Sequence, residues 1–144
     1  MDINKLTQKA QEAIVAAQSL ARELNHQTVE PAHLLYSLID QTESLVPALI
    51  NQVAGSTEML KLELDRDLKG RSKVYGGTSS EPGLSLPAVD ALDAAERYAK
   101  GMGDDYVSTE HILLGLADSP EGKRLAEFGL TKDAILKALR NLRG

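Results

Sequence analysis

The chain has no cysteine, no tryptophan, and an aromatic content of only 3%. Without cysteine there is no disulfide, no thiolate metal ligand and no cysteine nucleophile, and a reducing cytoplasmic setting is expected. Four tyrosines and one phenylalanine are too few to build a platform for stacking bases. Basic residues are dispersed among acids and the net charge is −5. The clustered Lys and Arg that a phosphate backbone demands are therefore missing, and nucleic acid is not an expected partner. No run of about 18 apolar residues occurs, so no membrane span is expected. The opening MDINKLTQKA carries Asp2 and lacks an apolar stretch, which does not fit a secretory signal.

What the chain does have is a balance typical of a globular protein, 42% hydrophobic and 26% charged. Its 144 residues suit one domain or two very small ones. It also says nearly the same thing twice. VEPAHLLYSLID begins at Val29 and VSTEHILLGLAD at Val107, an offset of 78. Carried backwards without a gap, this register matches Leu6 with Leu84, Ala10 with Ala88, Ala13 with Ala91, and Ala21 with Ala99. Over residues 6–40 against 84–118, 11 of 35 positions are identical. Ile14/Leu92, Arg22/Lys100 and Leu34/Ile112 add similar pairs. Beyond Asp40 the offset becomes 75 and joins Ile50, Val53, Leu60 and Leu64 to Leu125, Phe128, Ile135 and Leu139. A three-residue change in one loop produces such a shift. The reading is repeat 1 over 1–69, a Gly/Ser-rich linker GRSKVYGGTSSEPG over 70–83, and repeat 2 over 84–144. Matching apolar faces predict that the copies pack about a pseudo-twofold axis.

Both copies read as helix throughout. Over 4–24, Leu6, Ala10, Ala13, Ile14, Ala17 and Leu20 form an amphipathic stripe. Pro31 opens a second helix running to about Ile39. Ser44 caps a third, with Pro47 in its first turn, and Ser56 or Thr57 caps a fourth that reaches about Leu68. In copy two a helix starts near Ser85 and ends near Gly101, and Ser108 caps the next. A short helix over 120–128 stops at Gly129, and Thr131 caps the last. No alternating β pattern of useful length appears. The expected fold class is all-α, eight helices in two tandem four-helix repeats.

Tests for chemistry mostly fail. The Gly122-Lys123 pair has Ala117 five residues before Gly122 and Arg124 after it, so it is not a phosphate-cradling loop, and no nucleotide cofactor is expected for this chain. DRDLKG, residues 65–70, begins like a calcium loop but puts Lys69 and Gly76 where oxygen ligands are needed. His33 and His111 take equivalent places, yet no third or fourth ligand follows at metal-site spacing. The reading for both is a partly buried imidazole that bonds backbone and anchors the preceding loop, with His26 an exposed loop residue. No G-x-S-x-G occurs. Asp104-Asp105 and Asp90/Asp93 read as solvated faces or caps. No catalytic residue and no metal site are expected.

The residues as a set resemble a known family. LTQKAQEAIVAAQSLA, HQTVEPAHLLYSLI, KVYGG and LDAAERYAKGMGDDYVSTEHILLGLA are similar to the amino-terminal (Clp repeat) domain of the Clp ATPases, with the strongest likeness to the ClpB disaggregase branch. The likeness covers essentially all of the chain. It implies a domain flexibly joined to AAA+ ATPase modules that bind ATP and Mg in a hexameric ring. It implies work in the cytoplasm during stress, with the DnaK system as partner and unfolded or aggregated proteins as substrates. The chain then corresponds to the amino-terminal domain alone, expected to be a monomer by itself, which accounts for the missing phosphate loop. By motif the family's substrate-contacting residues fall on Thr7, Asp104 and Glu110, with Asp105 a second candidate for the acid. Helix capping (Thr7, Asp104) and first-turn charge (Glu110) are the structural readings of the same residues. Ile14 and Leu92, pseudo-equivalent and apolar, are the expected lining of a groove at the seam. The other implied role is regulatory: a domain that docks on the ring or an adaptor and gates it, with little substrate contact.

Overall fold

The computed structural model describes residues 1–76 and 81–143. Residues 77–80, within the expected linker, and Gly144 lie outside the described residues. The repeat-1 helices are α1 (Gln8–Glu23), α2 (Pro31–Asp40), α3 (Leu45–Ala54) and α4 (Glu58–Gly70). Repeat 2 follows with α5 (Leu86–Gly101), α6 (Thr109–Ala117), α7 (Gly122–Glu127) and α8 (Lys132–Arg143). A single 3₁₀ turn, Ile3–Lys5, precedes α1. The expected 4–24 helix is thus broken at Thr7, whose hydroxyl accepts the Ala10 amide at 3.2 Å and starts α1 afresh. Ser85 does the same for α5 through Ala88 at 3.2 Å.

Both copies follow one plan in detail. Asn25 and Gly103, equivalent by the 78-residue offset, each adopt positive φ as the chain leaves α1 and α5. His26 and Asp104 then send their amides back to the Ala21 and Ala99 carbonyls. α2 and α6 meet each other at the pseudo-axis and each also touches the first helix of the opposite copy. A helix so placed must be apolar nearly all round, and eight residues of α2 and eight of α6 are buried. The pairs joined by the second offset, Ile50/Leu125, Leu60/Ile135 and Leu64/Leu139, are all in the core.

Two places correct the sequence reading. First, the copies exchange short parallel strands. β1 (Thr28–Val29) pairs with β2 (Gly83–Leu84) in the register Val29↔Leu84, and Leu6 bridges Val107. The two pairings are one contact repeated by the axis. Two-residue strands carry no alternation for a pattern search to find. Gly83, placed by the sequence reading in the linker, belongs to β2. Second, Ser44 precedes α3 but makes no side-chain cap, and its hydroxyl is buried without a partner among the described residues.

Gly115 shows where packing is tightest. A Cβ there would lie 2.1 Å from the Ala91 carbonyl oxygen on α5. Only glycine lets α6 approach α5 so closely. Its counterpart on α2 is Ser37, so the α1–α2 pair lacks this approach.

Candidate functional site

Three features stand near the seam: a histidine-centred cluster, a polar cavity and an apolar cavity. In copy two the Ser108 amide donates to His111 Nδ1 at 2.9 Å. That leaves the proton on Nε2, which donates to Asp104 Oδ2 at 2.8 Å. Arg143, the last residue of α8, donates to the same Asp104 oxygen at 2.9 Å and to Glu110 Oε2 at 2.6 Å. Glu110 is only 6% exposed. Burial pushes its carboxyl up, but bonds from Ser108 and Arg143 outweigh this and hold it below the ordinary carboxylate value. Asp104 is likewise held low: burial raises it, and the Arg143 and His111 bonds lower it further.

Asp104 and Glu110, two of the three residues implied by resemblance, are thus brought together under one guanidinium. Asp104 is not a helix cap. Glu110 is in a first turn, as read, but it is a buried ion-pair partner rather than a solvated charge. Asp105 stays outside this cluster and is exposed. Thr7 stands apart from it as the α1 cap, and its amide donates to the Val107 carbonyl at 3.0 Å. Asp90 and Asp93 are exposed on α5, with Asp93 at the wall of an otherwise apolar cavity.

In copy one the same circuit has a different end. The Glu30 amide donates to His33 Nδ1 at 2.8 Å, and His33 Nε2 lies 2.8 Å from His26 Nδ1. His26, equivalent to Asp104, is buried at 8% exposure. The expectation of an exposed loop residue was wrong because residues 71–75 return across it, with the Val74 amide bonded to the Asn25 carbonyl at 2.9 Å. Burial first, then the neighbouring His26, lowers His33 to about 4. Burial, then Lys73 and Arg71, lowers His26. Among the described residues no group of three or more His, Asp or Glu side chains is arranged to hold a metal ion.

The polar cavity, ≈ 570 Å³, lies between the 3₁₀ turn and the end of α5. Asp2 and Lys5 line it on one side, and Glu96, Lys100, Asp104 and Asp105 on the other. Beside it opens an apolar cavity of ≈ 220 Å³. Ile14 and Leu92 both line this second cavity, as do Leu6 and Leu84. Each pair is related by the offset of 78, so the pseudo-axis runs through the opening. Leu92 is 4% exposed and forms floor rather than rim. Ile3 and Leu84 stand at the edge, 62% and 39% exposed. Sequence reasoning had the Ile14/Leu92 pair but missed Met1, Ile3 and Val89, which join the lining only through the 3₁₀ turn and the β2 exchange. What this surface offers chemically is a shallow greasy opening flanked by fixed charges.

The family model described as the Clp repeat (R) N-terminal domain matches residues 5–128. The chaperone protein ClpB of Pseudomonas putida is 36% identical over 146 residues, spanning 100% of this chain and 17% of that protein. ClpB of Nitratidesulfovibrio vulgaris is 34% identical over 151 residues with the same two coverages. The chain therefore spans about a sixth of the length of these relatives. Among solved structures, the Hsp104 N-terminal domain from Candida albicans superposes with a TM-score of 0.81 at 24% identity, covering 97% of this chain and 92% of that one. A complex of the ClpV N-domain with a VipB peptide gives 0.75 at 24% identity, covering 94% and 89%.

Proposed function

Because the chain belongs to the Clp repeat (R) N-terminal domain family, we propose that it recognises substrate for an ATP-dependent protein disaggregase of the ClpB type. The domain itself is a non-catalytic helical unit. Its role in this reading is to hold unfolded or aggregated polypeptide weakly and feed it to a cytoplasmic hexameric ring that carries ATP and Mg, with the DnaK system as partner.

The observation that carries the proposal is the open apolar cavity on the pseudo-axis, lined by Ile14, Leu92 and their neighbours. Folded proteins hide apolar side chains and unfolded ones do not, so a shallow greasy opening discriminates between them without reading sequence. Affinity near a Kd of about 1 mM, roughly −4 kcal/mol, suits a site that must release its ligand into a pore. Six copies on a ring raise the effective concentration and offset that weakness. Asp104 lines the neighbouring polar cavity, and Thr7 caps α1 just after the 3₁₀ turn. In this reading they meet substrate backbone, while Glu110, being buried, acts through Arg143 as a positioning residue.

A second reading is a regulatory domain that docks an adaptor or the ring. The ClpV N-domain in complex with a VipB peptide supports a peptide-sized ligand on this fold under either reading. One titration separates them. An isotope-labelled domain is mixed with a permanently unfolded protein and its amide shifts are followed. Shifts along Leu6–Ile14 and Leu84–Leu92 support substrate recognition, whereas no shifts at millimolar ligand leave only the docking role.

A further inference from the structure

The two repeats differ at one point on the cavity edge, and the difference says how a chain would be held there. Val29 bonds to the residues on either side of Leu84; the Ser85 amide, for example, donates to the Val29 carbonyl at 3.0 Å. In a parallel ladder this turns the Leu84 amide and carbonyl away from β1, toward the open edge. Among the described residues nothing bonds either group. The pseudo-equivalent groups of Leu6 are both used. Its amide donates to the Ile3 carbonyl at 3.1 Å, and its carbonyl accepts from Gln11 Nε2 at 3.1 Å. Where copy one has Gln11, copy two has Val89, an apolar residue that lines the cavity and has no donor to give.

The open edge is also held in place beforehand. Gln18 Nε2 donates to the Pro82 carbonyl at 2.9 Å, and Arg22 pairs with Glu81. Pro82 is buried. A ligand meeting this edge does not have to order it, which removes one cost of binding.

Resting on the substrate-recognition reading above, we infer that a bound segment is an extended, apolar polypeptide that pairs through its own backbone with Leu84. Its side chains enter the cavity between Ile14, Val89 and Leu92. Gln11 closes the equivalent edge of Leu6, so the pseudo-symmetric domain binds one strand in one place. Backbone pairing supplies recognition that every sequence shares, and the cavity adds the demand for apolar side chains.

The test uses the whole domain, a short capped leucine-rich peptide, and the same peptide with N-methylated backbone amides. Amide shifts give Kd for the unaltered protein, for Val89→Gln and for Val89→Thr. Glutamine at 89 reaches the Leu84 carbonyl as Gln11 reaches Leu6, whereas threonine is polar but too short. The inference expects Val89→Gln to weaken binding about fivefold or more, the loss of one net hydrogen bond. It expects Val89→Thr to stay within about twofold, the N-methylated peptide to bind as weakly as the Val89→Gln variant binds the parent peptide, and the Leu84 amide to gain exchange protection with ligand. Equal binding of both peptides, or equal losses for Gln and Thr, overturns strand pairing while leaving a greasy cavity that binds side chains alone. Protection of Leu84 without peptide that grows with protein concentration also overturns it, assigning the edge to a second copy of the chain. A protein that responds neither to the peptide nor to unfolded protein removes the underlying reading as well.

Discussion

His26 and Asp104 occupy one place in two copies, and the histidine in copy one adds an acid-sensitive pair there. His33 and His26 titrate below the unfolded value of 6.5, His33 at about 4. The unfolded chain therefore binds more protons than the folded one between those values. Stability is full above about pH 6.5 and is lost as pH falls toward 4, by up to about 3 kcal/mol for a complete shift of this size. Replacing His26 with Asp copies the arrangement of repeat 2, where His111 Nε2 meets a carboxylate. Urea midpoints at pH 7 and pH 4.5 should lie closer together for His26→Asp than for the parent; an unchanged gap would place the acid sensitivity elsewhere. Arg143 makes a second residue-scale prediction. Its removal leaves the buried Glu110 carboxylate without its cationic partner, at a cost of about 1–2 kcal/mol at pH 7. Glu110 titrates below its unfolded value of 4.5, so this contribution is present above that value and fades as pH falls through the folded one. Arg143→Ala should therefore destabilise clearly at pH 7 and little at pH 3, read by chemical denaturation.

At the scale of elements, helix starts and stops follow local chemistry, and helix spacing follows packing. Thr7 and Ser85 cap, Pro31 and Pro87 occupy first turns, and Gly55 and Gly129 end helices with positive φ. The sequence reading had Pro31, Ser85 and Gly129 in these places and gave Thr7 a capping role, but did not have the Gly55 end. The distance between α5 and α6 was not, because it depends on a backbone carbonyl reached only in the folded state. Gly115→Ala drives a Cβ into that carbonyl, where no side chain can swing aside. We expect a loss of about 3 kcal/mol and a fall in thermal midpoint of roughly 10 °C. Ser37→Ala on α2, where the approach is looser, should cost only about 1 kcal/mol, from losing its bond to the His33 carbonyl. Calorimetry on both variants checks the contrast. A further tie joins α4 to α7: Asp67 is bonded by Arg71 and Arg124, and Arg124 Nε also donates to Glu121 at 2.9 Å. The Arg71 bond, the largest influence, and that of Arg124 hold Asp67 at about 2 despite its partial burial.

For the molecule as a whole, the exchange of strands makes each repeat incomplete without the other. Leu84 pairs with Val29 and Leu6 with Val107, while α2 and α6 bury their remaining apolar surface at the axis. Segments 1–76 and 81–143, prepared separately, should each melt without a cooperative transition in circular dichroism. Mixed in equal amounts they should regain helix signal and one transition. A segment that unfolds cooperatively alone would mean that the axis contributes little to the core.

The sequence by itself determined the duplication, its 78-residue register, the helical fold class and the Ile14/Leu92 pair, because period and spacing are local properties written into the order of residues. It also singled out Asp104 and Glu110, but only through resemblance. Tertiary structure decided that these two share Arg143, that His26 is buried against His33, and that among the described residues Leu84 is left with an open edge where Leu6 is not. Each of these depends on groups far apart in the chain meeting in space. A two-residue strand, or a guanidinium arriving 33 residues later in the chain, leaves no periodic trace to read.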